Sequence, residues 1–192
     1  MTDWRHARTA RLHLDMAADG DEDDLFAIHS DPASWTHFPV GRHTDRSQTP
    51  EMVTLSERGF AVNGLGYWSI REVADGPVIG WGGCSAPTGR PWWNLAYRFA
   101  QSVLRRGYAT EVAARSIEAA REVAPDRPVL AYLLEHNVAS RRTAEKAGLR
   151  LVWRGPDRPN PDPDAIRLVF LDRDPDDTVL RAIEDHAGAT TI

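Results

Sequence analysis

The sequence predicts a single mixed α/β domain spanning residues 1–192, and three features support that fold class. The chain has the length of one domain, and 42% of its residues are hydrophobic, which suffices for a packed core. Turn-like residues separate the apolar segments 67–73, 78–86 and 92–100, which predicts an antiparallel meander of three strands. A helix and another strand follow, and such a crossover requires a parallel pair if its two strands are neighbours.

The first third of the chain predicts one strand and two helices. Residues 9–16 alternate between apolar and polar side chains, as a strand does. An acidic run precedes the apolar residues within 25–28, and acidic residues favour the beginning of a helix. Residues 31–48 lack a regular pattern. Residues 49–51 then supply a cap followed by proline, which predicts a second helix ending near Gly64.

A long amphipathic helix follows the meander. Small and apolar residues recur from Ala109 to Ala120 at the spacing of one buried helical face, and Pro125 marks the end of the helix. The same spacing places Glu111 on the solvent side. Residues 128–134 are short and apolar, and they predict a central strand.

The last part of the chain predicts a helix, two strands and a final helix. Asn137 can cap a helix over residues 138–147. Residues 149–154 and 166–171 are expected to be the closing strands, and the prolines between them exclude regular structure. A C-terminal helix is predicted over residues 174–187.

Charge and cysteine usage restrict the partners of the chain. The formal net charge of −5 argues against a nucleic-acid partner, which usually requires a basic surface. Cys84 is the only cysteine, which favours a reducing compartment, and its apolar surroundings favour a buried structural thiol over a nucleophile. No apolar run approaches the ~20 residues of a membrane span, and the N-terminus lacks a signal peptide. We therefore expect a cytoplasmic protein with no membrane or nucleic-acid partner.

The connection into the long helix is a candidate phosphate site. Gly107 permits a positive φ angle, and the first helical turn offers unpaired N–H groups at the positive end of the helix dipole. Arg105 and Arg106 add positive charge, and Thr110 adds a hydroxyl group. An ordinary strand-to-helix connection explains these residues equally well. The glycine patterns of dinucleotide sites and of P-loops are absent from the sequence.

A second polar cluster follows the strand at residues 128–134. Taken alone, Asn137 indicates a helix cap and Ser140 a hydroxyl group in the first turn of that helix. Arg141 indicates a solvated side chain. The structural interpretation of these three residues is favoured over a binding site.

Considered together, the two clusters resemble a known family. Residues 107–111, GYATE, followed by N-x-x-S-x-R-x-x-E-K-x-G-L at 137–149, resemble the GNAT superfamily of acetyl-CoA-dependent N-acetyltransferases. The likeness is strongest over residues 92–153. The branch that the sequence resembles most is the one that includes the RimJ and RimL ribosomal-protein N-terminal acetyltransferases. Residues 9–35 also resemble that branch, so the likeness extends over most of the chain.

The resemblance implies a fold and a cosubstrate. The fold is a mixed, mostly antiparallel sheet of about six to seven strands, splayed between the strands ending near Ala100 and Leu134. Acetyl-CoA would lie in that gap, with pantetheine paired to the first strand as an added strand would be, and no metal is expected. The implied acetyl-CoA contacts are Phe99, Gln101, Arg105, Arg106, Gly107, Tyr108, Ala109, Thr110, Asn137, Ser140 and Arg141.

The phosphate turn departs from the family pattern at one position. Arg105 stands where relatives commonly carry a glycine. If this position requires a positive φ angle, arginine there costs ~1 kcal/mol or more. The positive charge of Arg105 can offset this cost by attracting the phosphates. If it does not, CoA is expected to bind more weakly than it does to relatives.

The catalytic positions also depart from the pattern. Ala144 stands where many relatives carry the tyrosine that protonates the departing thiolate, and Asn94 stands where many carry a glutamate. Ser140 lies one turn before Ala144 on the same helical face, so it is the candidate general acid. His136 or Glu135, at the end of the preceding strand, is the candidate base.

The predicted reaction is direct attack of a neutral amine on the thioester, with the N–H of a residue near Phe99 stabilising the oxyanion. The acceptor is a primary amine, either a protein N-terminus or a small molecule. Aromatic residues suit a pocket for an amine or a cation, and Trp35, His37, Phe38 and Trp92 are the predicted acceptor residues.

The alternative function is a non-catalytic, CoA-binding regulatory module of the same fold. Arg105, Asn94 and Ala144 motivate this alternative because each departs from the family pattern. The sequence allows either a monomer or a homodimer.

Overall fold

The computed structural model describes residues 2–188 of the chain. These residues form five α-helices and eight strands. The strands are β1 His6–Arg8, β2 His13–Met16, β3 Tyr67–Arg71, β4 Gly80–Ser85, β5 Trp93–Phe99, β6 Val129–Leu134, β7 Arg150–Pro156 and β8 Ile166–Leu171. The helices are α1 Glu22–Ser30, α2 Gln48–Asn63, α3 Tyr108–Val123, α4 Val138–Lys146 and α5 Asp177–Gly188.

The eight strands form one open sheet in the order β1-β2-β3-β4-β5-β6-β8-β7. Among the described strands only β5 and β6 pair in parallel, and every other neighbouring pair is antiparallel. The parallel pair is confined to Trp93 with Val129 and Asn94 with Leu130. Beyond these residues the two strands diverge, so the mixed sheet with a splay at this position is confirmed.

The N-terminal strand differs from the sequence prediction. Residues 9–16 were expected to form one strand, but β1 and β2 form a hairpin around the turn in which Thr9 N–H donates to Leu12 O at 3.0 Å. Because of this hairpin the sheet has eight strands, whereas six or seven were expected. The alternating pattern was correct for β2, because Leu14 is fully buried.

Helices cover both faces of the sheet. The largest hydrophobic cluster lies between the sheet and α3, where Val112, Ala113 and Ile117 are buried as the helical spacing predicted. Full burial of a side chain such as Val112 contributes about 1.5–3 kcal/mol. A second cluster packs Val179 and Ile183 of α5 against the opposite face, and a third packs α1 and α2 beside β4.

The helix ends follow local chemistry. The Asn137 side chain accepts a hydrogen bond from the Ser140 backbone N–H, which confirms it as a cap of α4. Gly64 ends α2 in the left-handed conformation, at φ 75°. The final helix begins at Asp177, three residues later than predicted, because the Asp176 side chain accepts from Val179 N–H at 2.8 Å. None of the helices in residues 2–188 has the length and apolar character needed to cross a bilayer.

Candidate active site

A cavity of about 460 Å³ occupies the gap between the diverging strands β5 and β6. Its walls come from residues 95–99 of β5, residues 131–134 of β6, the first turn of α4 and residues 33–38 of the loop after α1. These segments are far apart in the sequence. The splay of the sheet is therefore what creates the space.

The edge of β5 that faces this cavity carries unpaired backbone groups. Trp93 N–H donates toward the β6 side at 2.8 Å, whereas Ala100 N–H donates toward the β4 side at 2.9 Å. Because the direction of backbone groups alternates along a strand, Leu95, Tyr97 and Phe99 direct their N–H and C=O groups toward the gap. An extended ligand can pair with this edge as an added strand would.

The cavity adjoins the segment of residues 101–110, called here the α3 turn. Gly107 precedes α3 at φ 84° and supplies no side-chain cap. The first-turn N–H groups of Tyr108, Ala109 and Thr110 consequently lack intrahelical acceptors and lie at the positive end of a sixteen-residue helix. Arg105 has a φ angle of 65°, the one positive value among described non-glycine residues, so the strained conformation expected for this position is present.

Side chains around the α3 turn are held by two acidic residues. Glu72 accepts from Arg106 Nη1 at 3.0 Å and from the Tyr108 hydroxyl group. Glu111 was expected to face solvent, but its carboxylate accepts from the Arg11 backbone N–H at 3.0 Å and from Arg11 Nε at 2.8 Å. Arg11 belongs to the N-terminal hairpin, so this pair fastens that hairpin to the beginning of α3. Arg105 is left exposed beside the turn.

The α4 side of the cavity brings three polar residues together. Ser140 and its cap Asn137 both line the cavity. The Ser140 hydroxyl lies 3.1 Å from the hydroxyl of Tyr97, a β5 residue that also lines it. Burial raises the pKa of Tyr97, so its hydroxyl stays protonated at neutral pH. Ala144 is fully buried in the main core, which explains why no polar group stands one turn later.

The opposite side is formed by Trp35, His37, Phe38, Arg98, Tyr132 and Arg167, called here the acceptor wall. The Arg98 guanidinium lies 3.4 Å from the Trp35 ring centroid, and the Arg167 guanidinium lies 4.3 Å from the Tyr132 centroid. Burial and then the Arg98 charge lower the pKa of His37 to about 4. His37 is therefore neutral at pH 7.

Nine predicted site residues lie outside the cavity lining, and five of them belong to the α3 turn: Arg105, Arg106, Gly107, Tyr108 and Thr110. The other four lie elsewhere. Trp92 is 2% exposed and packs in the hydrophobic cluster beneath α5. The Arg141 side chain pairs with Glu145 at 2.9 Å, one turn along the same helix. Glu135 accepts from Arg154 Nε at 2.7 Å, and this contact lowers the pKa of Glu135 and weakens it as a base.

His136, the last of these residues, is exposed, and its side chain contacts the backbone of His37 in the acceptor wall. Its Nε2 donates to the carbonyl oxygen of His37 at 3.0 Å. In the neutral ring Nε2 then carries the proton, which leaves Nδ1 as the basic atom. The structure thus places His136 beside the loop that carries the acceptor wall.

Two further residues have structural roles that agree with their chemistry. Cys84 is fully buried, and burial raises the pKa of its thiol, so it behaves as the structural thiol that the sequence indicated. Asn94 donates through Nδ2 to the Tyr67 hydroxyl at 3.1 Å.

No Asp or Glu lines the cavity within residues 2–188, and no cluster of metal-binding side chains was found in that range.

Sequence reasoning missed Tyr97, Arg98, Tyr132 and Arg167. Tyr97 could have been found by counting two residues back from Phe99, since alternate residues of a strand share a face. Arg98 stands between apolar residues of a predicted strand, which is itself a signal. Tyr132 and Arg167 carry no comparable local signal, because they reach the cavity through the pairing of β6 with β8.

Comparison with known families identifies the class of protein. The sequence model of the acetyltransferase (GNAT) domain matches residues 11–150, which is most of the chain. The chain belongs to the GNAT acetyltransferase family. The resemblance inferred from the α3 turn and the α4 motif is thereby confirmed at the family level, and the protein is an acetyltransferase by fold and family. A comparison with curated proteins found no match.

Solved structures show the same GNAT fold. A GNAT acetyltransferase from Bacillus anthracis aligns with a TM-score of 0.72 at 16% identity, over 86% of this chain and 96% of that one. An acetyltransferase from Agrobacterium tumefaciens gives a TM-score of 0.70 at 25% identity, over 86% and 93%. The yncA protein of Salmonella typhimurium, solved with its cofactor acetyl-CoA, gives 0.64 at 17%, over 84% and 92%.

Proposed function

We propose that this GNAT protein transfers the acetyl group of acetyl-CoA to a primary amine by direct attack of the amine nitrogen. The observation that supports this most is the junction of two ligand-binding elements. The unpaired edge of β5 opens onto the cavity, and the α3 turn with its free N–H groups adjoins it.

The residues present fit acetyl-CoA. The N–H groups of 108–110 suit a pyrophosphate, and Arg105 and Arg106 add cations at the same turn. Gly107 leaves the approach open, because a Cβ atom there would meet nothing closer than an Arg11 nitrogen at 3.6 Å. The N–H and C=O groups of Tyr97 and Phe99, beyond the parallel pairing with β6, suit the amides of pantetheine.

Bound there, acetyl-CoA would supply an activated acetyl group as a thioester. The amine nitrogen forms the new C–N bond, the C–S bond breaks, and the amine loses one proton while the sulfur gains one. Phe99 directs a backbone N–H into the gap, where it can donate to a carbonyl oxygen that gains negative charge. Ser140 can pass its hydroxyl proton to the departing sulfur and take back, through water, the proton that the amine releases, while Tyr97 holds that hydroxyl in place.

The base that takes the proton of the amine is sought among the groups near the acceptor wall. Glu135 is bound to Arg154 and His37 has a low pKa, so neither is a good proton acceptor near pH 7. His136 remains our candidate, acting through Nδ1 or through water, because it is exposed next to the acceptor wall. A His136→Gln variant should lose rate near neutral pH and recover it at high pH, where the amine is already neutral.

Two measurements test the proposed function. Calorimetry with acetyl-CoA should show binding, and thiol release should then appear with members of a panel of amines. The proposal fails if acetyl-CoA does not bind, or if it binds and no amine on a broad panel releases thiol. The second result would instead support the non-catalytic CoA-binding module, which Asn94 and Ala144 motivate.

Three finer assignments are part of this proposal. We infer from the motifs at 107–111 and 137–149 that the chain lies near the RimJ and RimL branch of the family. A location in the cytoplasm remains a prediction from the single cysteine and the composition. The protein is either a monomer or a homodimer, and size-exclusion chromatography with light scattering distinguishes the two.

A further inference from the structure

The charges that line the acceptor wall have one sign. Arg98 and Arg167 line the cavity, and in the part of the chain that the structure describes no carboxylate does so. Arg167 has its own counter-ion, because its Nη2 bonds to the buried carboxylate of Asp157. Arg98 has no carboxylate within 4.0 Å among residues 2–188. The wall therefore carries one uncompensated cation.

The Arg98 guanidinium uses few of its donors inside the protein. One nitrogen donates to the Ser34 carbonyl oxygen, and its remaining N–H groups have no acceptor among the described residues. Burial lowers the pKa of Arg98 to about 10, so the group still carries its charge at neutral pH. Desolvating a cation whose donors are unused costs free energy unless an anion accepts hydrogen bonds from those donors.

The aromatic rings of the wall are already occupied by these arginines. Arg98 covers the face of Trp35 at 3.4 Å, and Arg167 covers that of Tyr132 at 4.3 Å. A ligand cation that sought the same ring faces would meet like charge. This arrangement disfavours the aromatic cage for a cationic acceptor that the sequence suggested.

Resting on the acetyl transfer proposed above, we infer that the acceptor is an amine that also carries a carboxylate, as a free amino acid does, and that Arg98 binds this carboxylate. The guanidinium fork matches a carboxylate in two parallel hydrogen bonds. Trp35 and Phe38 supply apolar surface in the same wall, which favours an amino acid with an apolar side chain. Polyamines bring a second cation toward Arg98, and a peptide N-terminus lacks the adjacent carboxylate.

Matched acceptors that differ only in the carboxylate test this inference. Thiol release from acetyl-CoA is measured with phenylalanine against phenylalaninamide and with leucine against leucinamide, and kcat/KM is expressed per unprotonated amine. We expect the carboxylate form to be preferred by at least about tenfold, the size of a charge-assisted pair. Arg98→Gln should abolish the preference, Arg98→Lys should keep part of it, and Arg58→Gln, at an exposed site on α2, should leave it unchanged.

A binding assay keeps the inference testable without turnover. N-acetylphenylalanine should bind the protein at least about tenfold more tightly than its amide, and Arg98→Gln should equalise the two. Acetyl transfer that favours amides, spermidine or a peptide N-terminus overturns the carboxylate inference and leaves the acetyltransferase proposal standing. Carboxylate-selective binding without transfer to any amine supports the role of Arg98 and overturns the acetyltransferase proposal.

Discussion

The α3 turn and the acceptor wall bound the same cavity but are built from different parts of the chain. The turn presents backbone N–H groups from one short segment, Gly107 to Thr110. The wall presents side chains from residues 35–38, from β5, from β6 and from β8. A site made of backbone depends on local sequence, whereas a site made of side chains depends on how the sheet brings distant segments together.

The largest effect should come from placing a negative charge in the α3 turn. Ala109 lines the cavity in the first turn of α3, and Ala109→Glu would set a carboxylate against a bound phosphate. Like charges about 4 Å apart at a partly buried site repel by about 4 kcal/mol, so binding of acetyl-CoA should weaken by about 1000-fold in calorimetry. Ala114→Glu, on the exposed side of the same helix, should leave binding unchanged. Equal affinities for the two variants would remove the α3 turn from the binding site.

A smaller effect is expected where the two sides meet. Ser140→Ala should lower kcat by about 100-fold, the size of losing one donor to a developing charge, with little change in acetyl-CoA affinity. Tyr97→Phe should lower kcat less, because the Ser140 hydroxyl remains but loses its partner at 3.1 Å. Ser47→Ala, at an exposed position outside the cavity lining, is the control. An unchanged kcat in Ser140→Ala would exclude this serine as the acid.

Lowering the pH should reduce the stability of the folded protein through His29, which lies behind the acceptor wall. His29 is buried and stacks on His43 at 4.8 Å, and burial lowers the pKa of His29 to about 3, well below its ordinary 6.5. The unfolded chain therefore binds a proton that the folded chain does not, between about pH 6.5 and 3. Stability from neutral His29 is complete above pH 6.5 and falls with pH below it, by roughly 2 kcal/mol at pH 5.

Denaturant unfolding of wild type and His29→Asn at pH 7 and pH 5 checks this expectation. The wild-type free energy of unfolding should fall by roughly 2 kcal/mol more than that of the variant. Parallel losses in the two proteins would show that His29 titrates normally in the folded state.

The smallest effect concerns the backbone of the α3 turn. Gly107→Ala places a Cβ at φ 84° and should cost about 1 kcal/mol of stability, measured by denaturant unfolding. Gly20→Ala is the matched control, because its Cβ would meet nothing within 4 Å and its φ angle is not positive. A Gly107→Ala variant as stable as the Gly20→Ala variant would mean that the turn is not conformationally restricted.

The same contrast explains what the sequence could predict. The meander, α3 and the cap at Asn137 follow from hydrophobic period and turn chemistry, whereas the splay beside β5 was implied by the family resemblance; the structure contains all four. Trp92 was misplaced because an aromatic residue in a strand gives no sign of which face it takes, and it packs under α5. Arg98 and Arg167 were missed because only the sheet order brings β5 and β8 to one cavity.

Acetyl transfer to an amine can be followed through both of its products at once. The protein is incubated with acetyl-CoA and phenylalanine, and free CoA and N-acetylphenylalanine are quantified by mass spectrometry over the same time course. We expect the two products to appear in equal amounts and Ser140→Ala to slow both together. Acetyl-CoA that stays bound and intact, with neither product formed from any amine supplied, would contradict it.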